Sequence, residues 1–268
     1  MLASRFKNDD YRRGRVVRWL DAGANRVLAA LGETVVRSRA LRPVWRNGDV
    51  APVAPPGQNP VLVIHGYGAD VGSLAFLVRL LREDGFTARE IDLDTVHHRV
   101  EDLAWALGRR VETFRRVHEA ERVDLIGHSL GGVLARYYIQ MLGGHEHVDR
   151  VITIGSPHRD GTWAMHLTTA LRWSGLYPFP REDSCAQQLM PRSAFYERLN
   201  GPEYRVENLQ KVDFTSIYSH ADSLIIPQRN AHLPGVRNIA FWRYGHVGLV
   251  MSPRVYRTVR ERLLAPKR

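Results

Sequence analysis

The sequence predicts an α/β fold with a mostly parallel central sheet flanked by helices. Two observations support this prediction. Short apolar runs typical of buried strands alternate along residues 61–154 with longer segments whose apolar residues recur at helical spacing. One such run leads through a Gly-x-Ser-x-Gly turn directly into a helical segment. With 268 residues, 44% of them hydrophobic and 25% charged, the chain can form one sizeable core, and disordered and collagen-like classes are excluded.

Residues 1–55 are predicted to form a basic, helical N-terminal extension that ends in a proline-rich linker. Residues 1–50 contain 11 of the lysines and arginines against 5 acidic residues, which is most of the net charge of +10. Two interpretations stay open: a helix packed on the body of the protein, or a helix lying on an anionic membrane. No nucleic-acid partner is predicted, because no zinc-ligand spacing or RNA-binding signature accompanies the charge. The apolar stripe comprises Leu20, Ala24, Val27, Leu28, Leu31 and Val35.

The N-terminus and the cysteine content predict a cytoplasmic location, with peripheral membrane contact as the alternative. A signal peptide needs an apolar stretch after its basic start, whereas residues 1–15 mix acidic and basic side chains. Cys185 is the one cysteine, so no disulfide within the chain is predicted.

Residues 56–268 are predicted to form the main domain, in which strands and helices alternate until about residue 155. Residues 158–211 then interrupt the alternation with aromatic residues, prolines and no clear strand, which predicts a cap or lid. The predicted strands are Val61–Ile64, Phe86–Leu93, Val123–Ile126, Val148–Ile154, Phe214–Tyr218 and about Val236–Trp242. The predicted helices cover about residues 72–83, 99–119, 133–142 and 253–264.

The turn at residues 127–131 is predicted to be a nucleophile elbow carrying Ser129. A tight turn between a buried strand and a helix needs small neighbours, which Gly127 and Gly131 provide. The turn lifts the serine hydroxyl above the carboxyl edge of the sheet, and the following helix directs its N-terminal dipole there.

A serine nucleophile needs a histidine base and an acid that orients it, and these follow the serine in chain order. His246 stands after the last predicted strand and is the favoured base, with His232 as the alternative. Asp222 follows the strand at 214–218 and is the favoured acid, because Asp213 begins that strand and would face the opposite edge. Asp183 falls in the insertion.

The oxyanion hole is predicted to consist of two backbone N–H groups, those of Leu130 and Tyr67. Leu130 follows the nucleophile, and Tyr67 lies in the loop after the first strand. His65 precedes the serine in the chain, and we expect it to hold this loop in shape through hydrogen bonds rather than to take part in the chemistry.

Four blocks of the sequence resemble bacterial lipases and esterases of the α/β-hydrolase superfamily, the triacylglycerol-lipase-like group. The resemblance runs through most of residues 60–257 and implies the same triad and oxyanion donors. The blocks are VLVIHGYG, VDLIGHSLGGVLARYYIQMLGG, VDRVITIGSPHRDGTWAM and SHADSLIIPQRNAHLPGVRNIAFWRYGHVGLVMSPRVY.

The residues and the resemblance predict hydrolysis of acyl esters or lipids through an acyl-enzyme, without a cofactor and without a metal site. The alternative is a membrane-associated phospholipase or acyltransferase with the same triad. A non-catalytic binding module is disfavoured because every expected catalytic position is filled. Trp163, Leu167 and Leu171 recur at helical spacing and are predicted to line the acyl pocket, although such a stripe could instead pack as core.

Overall fold

The structure is a computed structural model that describes residues 57–165, 184–202 and 205–266. The predicted N-terminal extension, residues 1–55, lies outside the described residues, and so does the middle of the predicted insertion, residues 166–183. No helix among the described residues is long and apolar enough to cross a membrane.

The core of the fold is a six-stranded sheet in which every pair of neighbouring strands is parallel. The strand order is β2-β1-β3-β4-β5-β6. The second strand therefore lies on one side of β1, and the four later strands follow on its other side. All carboxyl ends of the strands therefore lie at one edge. The strands are β1 (Val61–Ile64), β2 (Ala88–Ile91), β3 (Val123–His128), β4 (Val148–Ile154), β5 (Asp213–Ser219) and β6 (Arg237–Phe241).

Helices cover both faces of this sheet, as the predicted α/β fold requires. Short 3₁₀ turns precede β4, β5 and β6, at Gly144–Glu146, Val206–Lys211 and Gln228–Ala231. The helices are α1 (Ala75–Glu83), α2 (Val100–Val117), α3 (Leu130–Met141), α4 (Cys185–Gln188), α5 (Ala194–Leu199), α6 (His246–Met251) and α7 (Pro253–Leu264).

Alternate residues of the strands enter two separate cores. In β1, Leu62 and Ile64 pack with α2 and α3, whereas Val61 and Val63 pack with α1 and α7. This is the two-sided burial typical of parallel sheets, in which strands read as continuous apolar runs. It explains why the short apolar segments of the sequence were sufficient to predict β1, β3 and β4.

The structure corrects two predicted boundaries at the nucleophile turn and adds one helix. The helix after the nucleophile turn begins at Leu130, not at residue 133, and β3 continues to His128. The sequence favoured a longer turn because glycines are poor helix formers, but here Gly131 and Gly132 lie in the first turn of the helix, where no side chain would fit. The structure also adds a helix that was not predicted, α6, between β6 and α7, and His246 is its first residue.

The described parts of the predicted insertion contain helices and a 3₁₀ turn but no strand, and they pack on the α2–α3 face through buried residues such as Cys185, Phe195 and Leu199. A buried arginine, Arg136 of α3, joins this region to the sheet domain. Its side chain is 1% exposed and forms no salt bridge with the described residues. It donates to Gln140 Oε1 (2.6 Å), His158 O (2.6 Å), Leu199 O (3.1 Å) and Asn200 Oδ1 (3.0 Å).

Candidate active site

The candidate nucleophile, Ser129, occupies the tight turn between β3 and α3. Its backbone has φ 55° and ψ −121°, a conformation that non-glycine residues rarely adopt and that the surroundings must enforce. The Ser129 N–H donates to Ile154 O of β4 (3.0 Å), and its carbonyl accepts from Gly132 N–H (3.1 Å). These two hydrogen bonds tie both sides of the turn to the sheet and the helix.

The glycines of this turn are required by close backbone contacts. A Cβ on Gly127 would lie 2.5 Å from the Gly131 carbonyl carbon, and one on Gly131 would contact the carbonyl oxygens of Ile64 and His65. A Cβ on Gly66, in the loop after β1, would lie 3.0 Å from Ser129 Cβ. The nucleophile turn and the loop after β1 therefore lie against each other, as an oxyanion hole shared between them requires.

Asp222 and His246 meet at the same edge of the sheet. The distance between Asp222 Oδ2 and His246 Nδ1 is 2.8 Å, and both side chains are buried. Asp222 Oδ1 accepts hydrogen bonds from the backbone N–H groups of Leu224 (2.8 Å) and Ile225 (2.9 Å). Asp222 follows the end of β5, and His246 begins α6, so two different crossovers supply the pair.

The electrostatics keep Asp222 ionised. Burial alone would raise the pKa of this carboxylic acid, but the hydrogen bonds from His246 and the two backbone N–H groups outweigh it and hold the pKa below its ordinary value. A carboxylate can only accept hydrogen bonds, so the proton between the two side chains belongs to His246 Nδ1. In the neutral imidazole, Nε2 is then the nitrogen without a proton, and it can accept one.

Contacts around the pair place it beside Ser129. The His128 and His246 rings have centroids 4.6 Å apart, and His128 is the residue directly before the serine. Burial and, secondarily, the neighbouring His246 lower the pKa of His128 to about 3, so His128 is neutral at working pH. Gly155 lies between Asp222 and His246 and directly follows Ile154, which accepts the Ser129 N–H.

Gly155 has φ +58°, and a Cβ there would lie 3.2 Å from Asp222 Oδ2 and 3.3 Å from His246 Nδ1. We expect Gly155→Ala to lower kcat about 10-fold, because the methyl group would displace the hydrogen-bonded pair and small misplacements are costly. It should also cost about 1–2 kcal/mol of stability for the left-handed backbone. Turnover of a chromogenic ester and thermal unfolding would measure the two effects.

The matched control is Gly143→Ala. Gly143 has φ +73°, and no atom lies within 4 Å of a Cβ built there. This variant should lose similar stability and retain kcat. Equal loss of stability with unchanged kcat in both variants would show that Gly155 contributes backbone conformation only.

Of the two predicted oxyanion donors, Leu130 directly follows Ser129, and Tyr67 directly follows Gly66, which packs against Ser129. Leu130 is the first residue of α3, whose first N–H groups have no acceptor within the helix. His65 is fully buried, and its Nδ1 lies 3.0 Å from Gly66 O while its Nε2 accepts from Leu93 N–H (3.3 Å). It therefore holds the loop in shape, as the sequence predicted.

The alternative triad residues make other contacts. The ring of His232 is 6.4 Å from that of Tyr218, and His220 stacks on Trp242. Asp213 is at the opposite edge of the sheet, where its Oδ2 accepts from Arg262 (2.6 Å). Asp183 lies outside the described residues. Of the sequence candidates, the structure thus brings together Asp222 and His246, with Ser129 beside them.

The predicted acyl-pocket residues are described in part. Trp163 is 56% exposed, and its backbone N–H donates to Ile226 O (3.1 Å) in the loop that follows Asp222. Leu224, Ile226 and Val247, which neighbour the triad candidates in the chain, are exposed as well. Leu167 and Leu171 lie outside the described residues. No group of three or more potential metal ligands occurs among residues 57–165, 184–202 and 205–266.

Two residues near the site were missed by sequence reasoning. Gly155 occurs in one of the blocks that carry the family resemblance, but no role was predicted for it. Its lack of a side chain leaves room for Asp222 and His246. Thr95 belongs to no motif. Its position offers one signal: it follows β2 at the carboxyl edge, beside the loop after β1, where polar residues of an α/β protein meet.

Comparison with solved structures identifies the fold. The chain is similar to the mature form of the Bacillus licheniformis lipase BlEst2, with TM-score 0.64 and 17% identity over 82% of this chain and 97% of that one. It is also similar to Aspergillus fumigatus lipase B, with TM-score 0.61 and 16% identity over 86% of this chain and 62% of that one. The chain is also similar to the lin2722 gene product of Listeria innocua, with TM-score 0.55 and 16% identity over 79% of this chain and 96% of that one.

These similarities confirm the predicted α/β-hydrolase fold. The predicted resemblance to lipases and esterases is likewise confirmed, and ester hydrolase activity is supported. At the level of the family, residues 60–208, more than half of the chain, match the palmitoyl protein thioesterase family. The chain belongs to the palmitoyl protein thioesterase family.

Proposed function

We propose that the protein is a serine carboxylic-ester hydrolase that acts through a Ser129–His246–Asp222 triad and an acyl-enzyme. The observation that carries this proposal is the buried 2.8 Å hydrogen bond between Asp222 and His246, at the carboxyl edge of the sheet beside the strained Ser129 turn. A strained serine between a strand and a helix, with an oriented histidine next to it, is the arrangement that activates a serine hydroxyl.

In the first half of the reaction, His246 Nε2 accepts the Ser129 proton as Oγ attacks the ester carbonyl carbon. The tetrahedral intermediate collapses to an acyl-serine when the C–O bond to the leaving alcohol breaks and His246 donates the proton to that alcohol. Asp222 keeps the proton on Nδ1 and stabilises the imidazolium that forms. A water molecule then repeats the attack, with His246 again as base, and the acid leaves.

The negative charge of each tetrahedral intermediate develops on the former carbonyl oxygen. The N–H groups of Tyr67 and Leu130 are proposed to donate to it, with the N-terminus of α3 adding its dipole. Leu130 supplies its N–H from the first residue of that helix, and Gly66 brings the Tyr67 peptide against Ser129. The mechanism uses only protein groups and water.

The substrate is proposed to carry an apolar acyl chain. Exposed Trp163 contacts the loop after Asp222 through its backbone, and exposed Leu224 and Ile226 belong to that loop. Each buried CH₂ of an acyl chain gains about 0.8 kcal/mol, so such surface favours longer chains. Leu167 and Leu171 are proposed to extend the same wall.

We expect Trp163→Ala to shift the preference among esters toward shorter chains with little change in melting temperature. Exposed side chains contribute little to stability. Measuring kcat/KM for p-nitrophenyl esters from acetate to palmitate in both proteins tests this. A sharp loss of melting temperature with an unchanged chain-length profile would assign Trp163 to packing.

A second candidate is hydrolysis of an acyl thioester. The family match favours it, because the name of the family describes cleavage of palmitoyl thioesters on proteins. The same triad serves both reactions, since the acyl carbonyl and the acyl-enzyme are identical and only the leaving group differs. Matched oxygen-ester and thioester substrates with one acyl chain would show which leaving group gives the higher kcat/KM.

A fluorophosphonate probe tests the proposed class of enzyme directly. The probe should form a covalent adduct with Ser129, located by peptide mass spectrometry, and abolish ester turnover in proportion to labelling. Ser129→Ala should remain unlabelled, whereas Ser223→Ala, at an exposed serine next to Asp222, should label like the wild type. Absence of an adduct on Ser129 in folded protein would refute the proposal and favour a non-catalytic binding module.

A further inference from the structure

We propose that Thr95 is a positioning residue for catalysis, which orients and strengthens the Tyr67 N–H donor of the oxyanion hole through the Gly66–Tyr67 peptide group. The inference rests on the proposed function. It concerns a residue that lies outside the triad and outside every motif of the sequence.

Thr95 is buried, 1% exposed, in the segment that follows β2. Because β2 is the neighbour of β1 in the sheet, this segment lies beside the loop that carries Tyr67. The Thr95 hydroxyl donates to Gly66 O (3.3 Å) and accepts from Gly68 N–H (3.0 Å). One side chain therefore holds the residues immediately before and after Tyr67.

The contact with Gly66 O helps to fix the direction in which the Tyr67 N–H points. The Gly66 carbonyl and the Tyr67 N–H belong to one planar trans peptide group, in which they point in opposite directions. Fixing the carbonyl therefore fixes the N–H. Gly66 packs against Ser129, with 3.0 Å from its ideal Cβ position to Ser129 Cβ, so this peptide group lies next to the nucleophile.

The same contact should make the N–H a better donor. Hydrogen bonds to the carbonyl oxygen polarise the peptide group, and chained hydrogen bonds strengthen one another where the dielectric is low. Gly66 O accepts two further hydrogen bonds, from Ala69 N–H (3.4 Å) and from His65 Nδ1 (3.0 Å). His65 can donate from Nδ1 because Leu93 N–H occupies its Nε2 and leaves the proton on Nδ1. Burial lowers the pKa of His65, which keeps it neutral in this role.

The insertion holds Thr95 from the other side. The Cys185 thiol donates to Thr95 O (2.7 Å), and the Cys185 N–H donates to His98 O (2.9 Å). Helix α4 thus holds the backbone of Thr95, and the Thr95 side chain holds the loop that carries Tyr67. This contact gives the only cysteine of the chain a structural role in positioning the site.

The test is Thr95→Val, which keeps the shape of the side chain and removes the hydroxyl. We expect kcat to fall about 10-fold to 100-fold with KM changed less than about 3-fold, because complete loss of an oxyanion donor costs about 100-fold to 1000-fold. Thr95→Ser should retain most of the activity. A trifluoromethyl ketone with an acyl chain forms a tetrahedral adduct with serine, and its affinity should fall in parallel with kcat/KM.

The matched control is Thr215→Val. Thr215 is a buried threonine of β5 whose hydroxyl has no hydrogen-bond partner among the described residues, so its loss should leave kcat and affinity for the ketone unchanged. Melting temperatures of all variants separate folding from catalysis. Should Thr95→Val not fold, Thr95→Ala removes the same hydroxyl without adding a methyl group in its place.

Folded Thr95→Val or Thr95→Ala with wild-type kcat and wild-type affinity for the ketone would overturn the inference. So would an equal loss of activity in Thr95→Ser, because that variant keeps the hydroxyl. Failure of the proposed function looks different, since Ser129→Ala would then remain active. An inactive Ser129→Ala together with a fully active Thr95→Val contradicts the role of Thr95 alone.

Discussion

Replacing Ser129 with alanine should lower kcat about 10⁴-fold or more, with little change in melting temperature. The hydroxyl is the atom that forms the acyl-enzyme, and loss of a member of a serine triad typically removes several orders of magnitude in rate. The strained backbone at φ 55° is fixed by hydrogen bonds to Ile154 and Gly132 that alanine can also make, so the turn should persist. Steady-state turnover of a chromogenic ester and thermal unfolding measure both quantities.

The same measurements apply to the other two residues of the proposed triad, Asp222 and His246. Asp222→Asn and His246→Ala should each reduce kcat strongly, and combining either with Ser129→Ala should add almost nothing, because the three groups act as one unit. His232→Ala is the matched control, because the ring of His232 packs edge-on against Tyr218 and the histidine bonded to Asp222 is His246. A damaging His232→Ala beside a harmless His246→Ala would transfer the role of base to His232.

Replacing Arg136 with methionine should lower the free energy of unfolding by about 3–5 kcal/mol. Four acceptors, two of them backbone carbonyls, would lose the guanidinium in the space between α3 and the insertion. Of the two carbonyls, Leu199 O keeps the hydrogen bond from Gln140 Nε2 (3.2 Å), whereas His158 O would lose its donor. Leaving a buried acceptor unsatisfied costs about 1–3 kcal/mol, and neighbouring effects are only partly additive. Burial lowers the pKa of Arg136 to about 10, which still leaves it charged at neutral pH.

Urea denaturation measures this loss, with Arg110→Met on the exposed face of α2 as the matched control. A surface substitution of this kind should change stability by less than about 0.5 kcal/mol. Arg136→Lys keeps the charge but cannot reach all four acceptors, so it should be intermediate or as damaging. An Arg136→Met variant as stable as the wild type would mean that water satisfies the acceptors in place of the guanidinium.

The sequence was most informative where one residue type is required by local geometry. The elbow was predictable because its glycines stand together in one short motif. A Cβ on Gly127 would contact the backbone of Gly131, four positions further on, whereas the space at Gly131 is limited by the distant carbonyls of Ile64 and His65. Asp222 and His246 were predictable for a related reason: chain order and the carboxyl edge of a parallel sheet restrict the acid and the base to the ends of particular strands.

The sequence was least informative where a contact joins distant segments. Thr95 reaches the loop at Gly66 and is itself held by Cys185, which lies 90 positions further along the chain. Arg136 likewise donates to the carbonyl of the distant Leu199. No sequence pattern around Thr95 or Arg136 indicates these partners. The start of α3 was predicted too late for a different reason, because the helix propensity of glycine is outweighed there by the lack of space for any side chain.

The all-parallel sheet has a consequence for how this enzyme acquires activity as it folds. Among the described strands there is no hairpin, and two of the pairings, Val61 with Asp124 and Arg150 with Asp213, close loops of about 60 residues. Non-local pairing of this kind makes folding slow, because chain entropy is lost before contacts compensate for it. Ser129 directly follows β3, in the middle of the sheet, whereas Asp222 follows β5 and His246 follows β6, which pair last along the chain. Recovery of turnover after dilution from denaturant should therefore lag behind recovery of helical circular dichroism.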